Sequence, residues 1–154
     1  YYLNPKFFRH SSLMIKFIPF VFLLIYSSAS MAELNEVKIS SRLDPNAIII
    51  TEVDIIFVYD DEITNDFPKS KSSWYSGKRG FTISAGDKVD VVNIFIPQGF
   101  DSVSATLPAR KAEAKKVFVF AYHDDAQASP VDITDMSAVS IEIDPFGIVV
   151  SRID

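Results

Sequence analysis

The stretch Lys116 to Tyr122 (KVFVFAY) constrains the fold more than any other, because it is apolar on both faces of a strand. Val117, Val119 and Ala121 would point one way and Phe118, Phe120 and Tyr122 the other, since successive side chains of a strand alternate. Such a strand must be covered on each side, which predicts a central strand with a layer packed against both faces.

Other runs share this chemistry. Glu36 to Arg42 (EVKISSR) partly alternates, and Ala47 to Tyr59 (AIIITEVDIIFVY) is dense in Ile and Val. Polar Thr51, Glu52 and Asp54 divide the latter into two strands or bend a single one. Asp90 to Ile96 (DVVNIFI) is a further segment, and Ser137 to Ile143 and Gly147 to Ile153 alternate again around a hairpin turn at Asp144-Pro145-Phe146-Gly147. β-branched and aromatic residues dominate throughout, as a pleated, half-buried surface requires. Ser70 to Phe81 (SKSSWYSGKRGF) departs from the pattern and predicts a short helix carrying Trp74, capped by Ser70 or Ser72. Ala112 to Lys116 reads as a helical turn. The fold class predicted is mainly all-β: an antiparallel β-sandwich of about six to eight strands with one short helical insert.

Part of the chain stands outside that domain. Lys16, the apolar run Phe17 to Tyr26 and the small residues Ser27 to Ala32 read as an export signal starting at Met14, with Ser30 and Ala32 at −3 and −1 of a cut before Glu33. The apolar run has about half the roughly 20 residues that span a bilayer as a helix. Residues 1–13 precede that pattern and read as upstream sequence, residues 14–32 as signal peptide, and residues 33–154 as a single domain. This predicts a periplasmic or secreted bacterial protein with no transmembrane span after cleavage.

All 20 acidic residues lie in 33–154, whereas Lys6, Arg9 and Lys16 do not, so the domain carries 12 basic against 20 acidic residues, a net charge of −8. That balance argues against nucleic acid as a partner, which demands a basic footprint. There is no cysteine, which removes thiol catalysis, thiolate metal sites and a lipidated cysteine after the signal.

Two clusters carry candidate chemistry. Asp60-Asp61-Glu62 supplies carboxylates at a strand end but lacks the alternating ligands of a calcium loop, and also reads as a solvated turn. His123-Asp124-Asp125 offers a base or ligand set, against a plain loop reading; the other histidine, His10, precedes the signal. No nucleophile elbow or phosphate loop is present. No catalytic residue, metal site or cofactor is therefore expected. For binding, the candidates are Trp74, Tyr75 and Phe100. Trp74 and Tyr75 read either as a plug capping the sandwich or as a partner or sugar surface, and Phe100 sits in the turn Gln98-Gly99-Phe100-Asp101.

Taken in order, the landmarks run IIFVYD (Ile55 to Asp60), the aromatic helical segment Phe67 to Phe81, the turn SAGDKVDVV (Ser84 to Val92), FVFAYHD (Phe118 to Asp124) and the final hairpin VSIEIDPFGIVV (Val139 to Val150). This order resembles the small β-sandwich outer-membrane lipoproteins of bacterial type VI secretion systems. The resemblance implies a transthyretin-like, non-enzymatic sandwich that binds an inner-membrane secretion component through a loop between strands. Those lipoproteins carry a lipidated cysteine after the signal and this chain has none, so the resemblance implies an unanchored relative. The expectation is an exported interaction module with a protein partner in the cell envelope. The alternatives are a binder of a small ligand or carbohydrate through Trp74 and Tyr75, and a hydrolase or metal protein using His123 with the acidic clusters.

Overall fold

A computed structural model describes residues 33–44 and 49–154; the expected signal and upstream segments, and Ala47 and Ile48 of the second predicted strand, lie outside them. Among the described residues, eight strands form two four-stranded sheets. The first comprises β1 (Glu36–Ser41), β4 (Ser102–Ser104), β7 (Ala138–Asp144) and β8 (Gly147–Arg152), in the order β4-β1-β7-β8. The second comprises β2 (Thr51–Val58), β3 (Val89–Ile96), β5 (Lys116–Ala121) and β6 (Val131–Asp132), in the order β3-β2-β5-β6.

The predicted strands thus stand, with two differences. β2 is a single strand, one of the two readings that its polar residues left open. β1 and β7 pair in parallel, from Glu36 opposite Ala138 to Ser41 opposite Ile143, while the other pairs are antiparallel. Alternation fixes which face a side chain takes but not the direction of the neighbouring strand, so no signal marked that pair. The short strands β4 and β6 were unforeseen, because two or three residues cannot display a period.

The two-sided cover demanded by β5 is present. Val117, Val119 and Ala121 join Val53, Ile55, Phe57, Val37, Ile39, Val139, Ile141 and Ile143 in the core between the sheets. Phe118 and Phe120 face outward with Ile56, Val58 and Val89, beneath a helix, α2 (Lys71–Ala85), that lays Trp74 and Ala85 on them. Phe67 completes this second core, stacked on Trp74 (ring centroids 5.9 Å apart) and on Phe118 (4.4 Å), while Trp74 stacks on Phe120 at 5.9 Å. Truncating an aromatic ring in such a setting costs about 3–5 kcal/mol, which is what fixes the helix to the sheet.

The helix begins at the predicted cap. The Ser70 hydroxyl accepts from the Ser73 N–H, and the Ser73 side chain accepts in return from the Ser70 N–H. It runs four residues beyond the predicted end, to Ala85, and stops where Gly86 turns to a φ of 55°, a conformation that only glycine adopts without strain. Gly77 and Gly80 each weaken a helix by about 1 kcal/mol, and the packing of Trp74 outweighs them. A 3₁₀ turn at Lys111–Glu113 takes the place of the helical turn expected from Ala112. No helix among the described residues is long and apolar enough to cross a membrane.

Candidate functional site

The outer face of the second sheet is organised in rows running across β3, β2 and β5. One row, Asn93–Asp54–Phe120, lies under α2. Asp54 is completely buried, and its two oxygens gather donors from three side chains. Trp74 Nε1 donates at 2.8 Å, Asn93 Nδ2 at 2.7 Å, and the Lys78 ammonium lies 2.7 and 2.9 Å from the two oxygens. Trp74 and Lys78 stand four apart on α2, so one helical face delivers both. A buried carboxylate is tolerable only when paired and hydrogen-bonded, and here the network also sets the position of the helix along the sheet.

The next row, Phe95–Glu52–Tyr122, is only partly covered by α2, which reaches its Tyr122 side through Lys71 and Tyr75. Phe95 is opposite Glu52 in the β2–β3 register, and the Tyr122 N–H donates to the Glu52 carbonyl on the other side. Phe95 and Tyr122 are 60% and 54% exposed, as is neighbouring Ile50 at 60%. With Thr51 they line an open hollow of about 200 Å³. Asn93 Nδ2 donates to Glu52 Oε2 at 2.8 Å, and Lys78 approaches the other oxygen only to 3.8 Å. The Tyr75 ring packs edge-on against Tyr122, 5.0 Å between centroids, and its hydroxyl donates to the Phe120 carbonyl. Burial first, then the negative charges of Asp54, Glu52 and Asp124, push the Tyr75 hydroxyl pKa well above its ordinary value.

At the same end of the sandwich the β7–β8 hairpin presents Phe146, 88% exposed. Its turn is held from β5. The His123 ring Nε2 lies 2.9 Å from the Gly147 carbonyl and 3.1 Å from that of Asp144, so this nitrogen carries the proton and donates. Nδ1 meets the Thr51 hydroxyl at 3.0 Å. Asp124 Oδ1 accepts from the Ile148 N–H and sits where a Cβ on residue 147 would be, which is why the turn closes on glycine. His123 and Asp124 thus serve as fasteners, and Asp125 accepts locally from the Gln127 N–H.

The other predicted residues separate from these. Asp60 caps a five-residue helix, α1 (Asp61–Asn65), accepting from the Glu62 and Ile63 N–H groups, and these bonds, the Ile63 one first, lower its pKa. Thr51, beside His123, and Val58, beside the Asp60 cluster, occupy opposite ends of β2, about 23 Å apart at strand rise. The two acidic clusters therefore do not converge, and no group of three His, Asp or Glu among the described residues could hold a metal. Of the binding candidates, Trp74 is wholly enclosed in the second core, Tyr75 is half-buried behind Tyr122, and Phe100 is half-buried against the main core. The exposed aromatic groups at this end are Phe95, Tyr122 and Phe146, which the sequence reading did not select. Their signal was faint: each sits at or just past a strand end, where alternation stops deciding which side chain is covered.

The chain has the fold of the small lipoproteins of bacterial type VI secretion systems. Solved structures that share it include three from such systems. Serratia marcescens Lip, a membrane-bound component of the type VI secretion system, superimposes with a TM-score of 0.51 at 10% identity, over 77% of this chain and 96% of its own. The type VI lipoprotein TssJ1 from Pseudomonas aeruginosa gives 0.50 at 9% identity, over 79% and 98%. A chain of a type VI membrane complex gives 0.50 at 17% identity, over 76% and 96%. No protein-family model matches the sequence, nor does any curated protein. The likeness is one of fold, carried by backbone architecture and not by shared residues.

Proposed function

We propose that this chain is an exported, non-catalytic interaction module of the bacterial cell envelope, working with a type VI secretion assembly. The observation that carries the reading is the concentration of exposed apolar surface at one end of a sandwich with the type VI lipoprotein fold. Ile50, Phe95, Tyr122 and Phe146 all stand there, on strand ends and on a turn fastened by His123 and Asp124. Exposed apolar and aromatic side chains grouped on strand ends and a fastened turn are the kind of residues that anchor an interface. The same fasteners absorb the histidine and carboxylates that a hydrolytic or metal-dependent reading would need. The export signal expected at Met14 to Ala32 would bring the domain to the periplasm.

The test is cross-linked capture from a bacterial envelope extract containing a type VI system. The protein should retain type VI membrane-complex components, and Phe146→Asp together with Ile50→Asp should lose them while keeping the native circular dichroism. Retention of the same components by the double variant, or capture of none, would refute the proposal.

A further inference from the structure

The row Phe95–Glu52–Tyr122 sets a carboxylate between two exposed aromatic rings on adjacent strands, and its charge is not balanced from within. Lys78 is the nearest cation, but it binds Asp54 at 2.7 and 2.9 Å and reaches Glu52 only at 3.8 Å. One ammonium between two carboxylates leaves a net charge of −1, and it falls on Glu52, the member of the pair that opens to the hollow. Lys71 lies over the Tyr122 ring, 5.4 Å from its centroid, yet neither Lys71 nor Lys78 lines the hollow, so the Phe95 side of the row is open.

An apolar side chain seated between these rings would cover Glu52 and strip water from a carboxylate whose nearest cation, Lys78, stands 3.8 Å off and is held by Asp54. An anion would meet the charge directly. A guanidinium satisfies both parts of the site, because its plane stacks on aromatic faces while its edge donates to a carboxylate.

We propose that this row is a receptor for a basic side chain of a polypeptide partner, arginine above all. The proposal rests on reading this end of the sandwich as a docking surface and names the chemistry of what docks. Ile50 and the apolar edges of the rings cover the arginine stem, Glu52 Oε1 accepts from its guanidinium, and Asn93 keeps the carboxylate in place through Oε2.

The experiment is an NMR titration of the purified protein with acetyl-arginine methylamide and with its neutral isostere, acetyl-citrulline methylamide. The arginine probe should produce saturable shifts at the amides of Glu52, Phe95 and Tyr122, and the citrulline probe should not. Glu52→Gln should weaken binding by roughly fivefold with an otherwise unchanged spectrum, whereas Ile83→Ala, on the far side of α2, should bind as the parent does. Equal binding of the two probes, shifts scattered over the surface, or an unweakened Glu52→Gln would overturn the proposal. So would a methyl glycoside perturbing these amides where arginine does not, since that outcome makes the row a sugar platform. Because no envelope component enters this titration, its failure leaves the capture experiment standing, and the converse holds.

Discussion

Replacing Lys78 with methionine tests the central claim about how α2 is held. The methionine preserves the length and most of the packing of the lysine stem but removes the ammonium that lies 2.7 and 2.9 Å from the oxygens of Asp54. Asp54 would remain completely buried, with two neutral donors, Trp74 Nε1 and Asn93 Nδ2. Stranding one partner of a fully buried pair costs about 3–5 kcal/mol. The Lys78 side chain is 26% exposed and the two neutral donors persist, so the expected loss is smaller, about 2–3 kcal/mol. With a urea slope of about 1.5 kcal/mol/M, the unfolding midpoint should fall by roughly 1.3–2 M. Trp74 is the sole tryptophan and lies within the network, so its emission reports directly on helix docking. The circular dichroism transition should coincide with it if unfolding is two-state. Adding Asp54→Asn removes the charge that needed the ammonium while retaining an oxygen for Trp74. The double variant should therefore be more stable than the sum of the two single losses by about 1–2 kcal/mol. A Lys78→Met variant within about 0.5 kcal/mol of the parent, or additive losses, would refute the account.

The cap on α2 should be worth about 1 kcal/mol, so Ser70→Ala should lower stability by that amount in urea unfolding, with Ser70→Asp restoring most of it. The pH dependence should carry the mark of Asp124, whose pKa is raised above 3.8, chiefly by burial and against the pull of His123, the Ile148 N–H and Lys71. A carboxyl with a raised folded pKa lends stability that is complete below the unfolded value of 3.8 and is lost as pH rises through the folded value. Asp124→Asn keeps an oxygen for the Ile148 N–H and removes the ionisation, so it should melt higher than the parent at pH 7. That advantage should vanish towards pH 3, and thermal melts across the interval would contradict the argument if it grew in acid instead.

The fold was largely legible before any coordinates. KVFVFAY needs apolar cover on both faces, and the structure supplies a sheet on one and α2 on the other. The Ser70 cap, the hairpin at Asp144 to Gly147 and six of the eight strands were visible because each depends on local chemistry: side-chain period, a hydroxyl before a helix, turn residues between alternating runs. The strands that escaped were β4 and β6, too short to carry a period, and the parallel partnership of β1 with β7 joins segments about 100 residues apart.

The site was less legible, and Asp54 shows why. Within AIIITEVDIIFVY it looks like an interruption, yet it is buried, because Trp74 and Lys78 arrive from a helix twenty residues later to satisfy it. The same arrival enclosed Trp74 and left Phe95 and about half of Tyr122 outside, since α2 covers the Asn93–Asp54–Phe120 row and reaches the next only on its Tyr122 side, through Lys71 and Tyr75. The sequence by itself determined the six longer strands, the long helix, and that one sheet must be covered twice, all consequences of period and apolar content along the chain. Only the tertiary structure decided which polar groups are paired and which aromatic rings stay in the open. Those depend on where the helix lies across the sheet, a placement that no local pattern encodes.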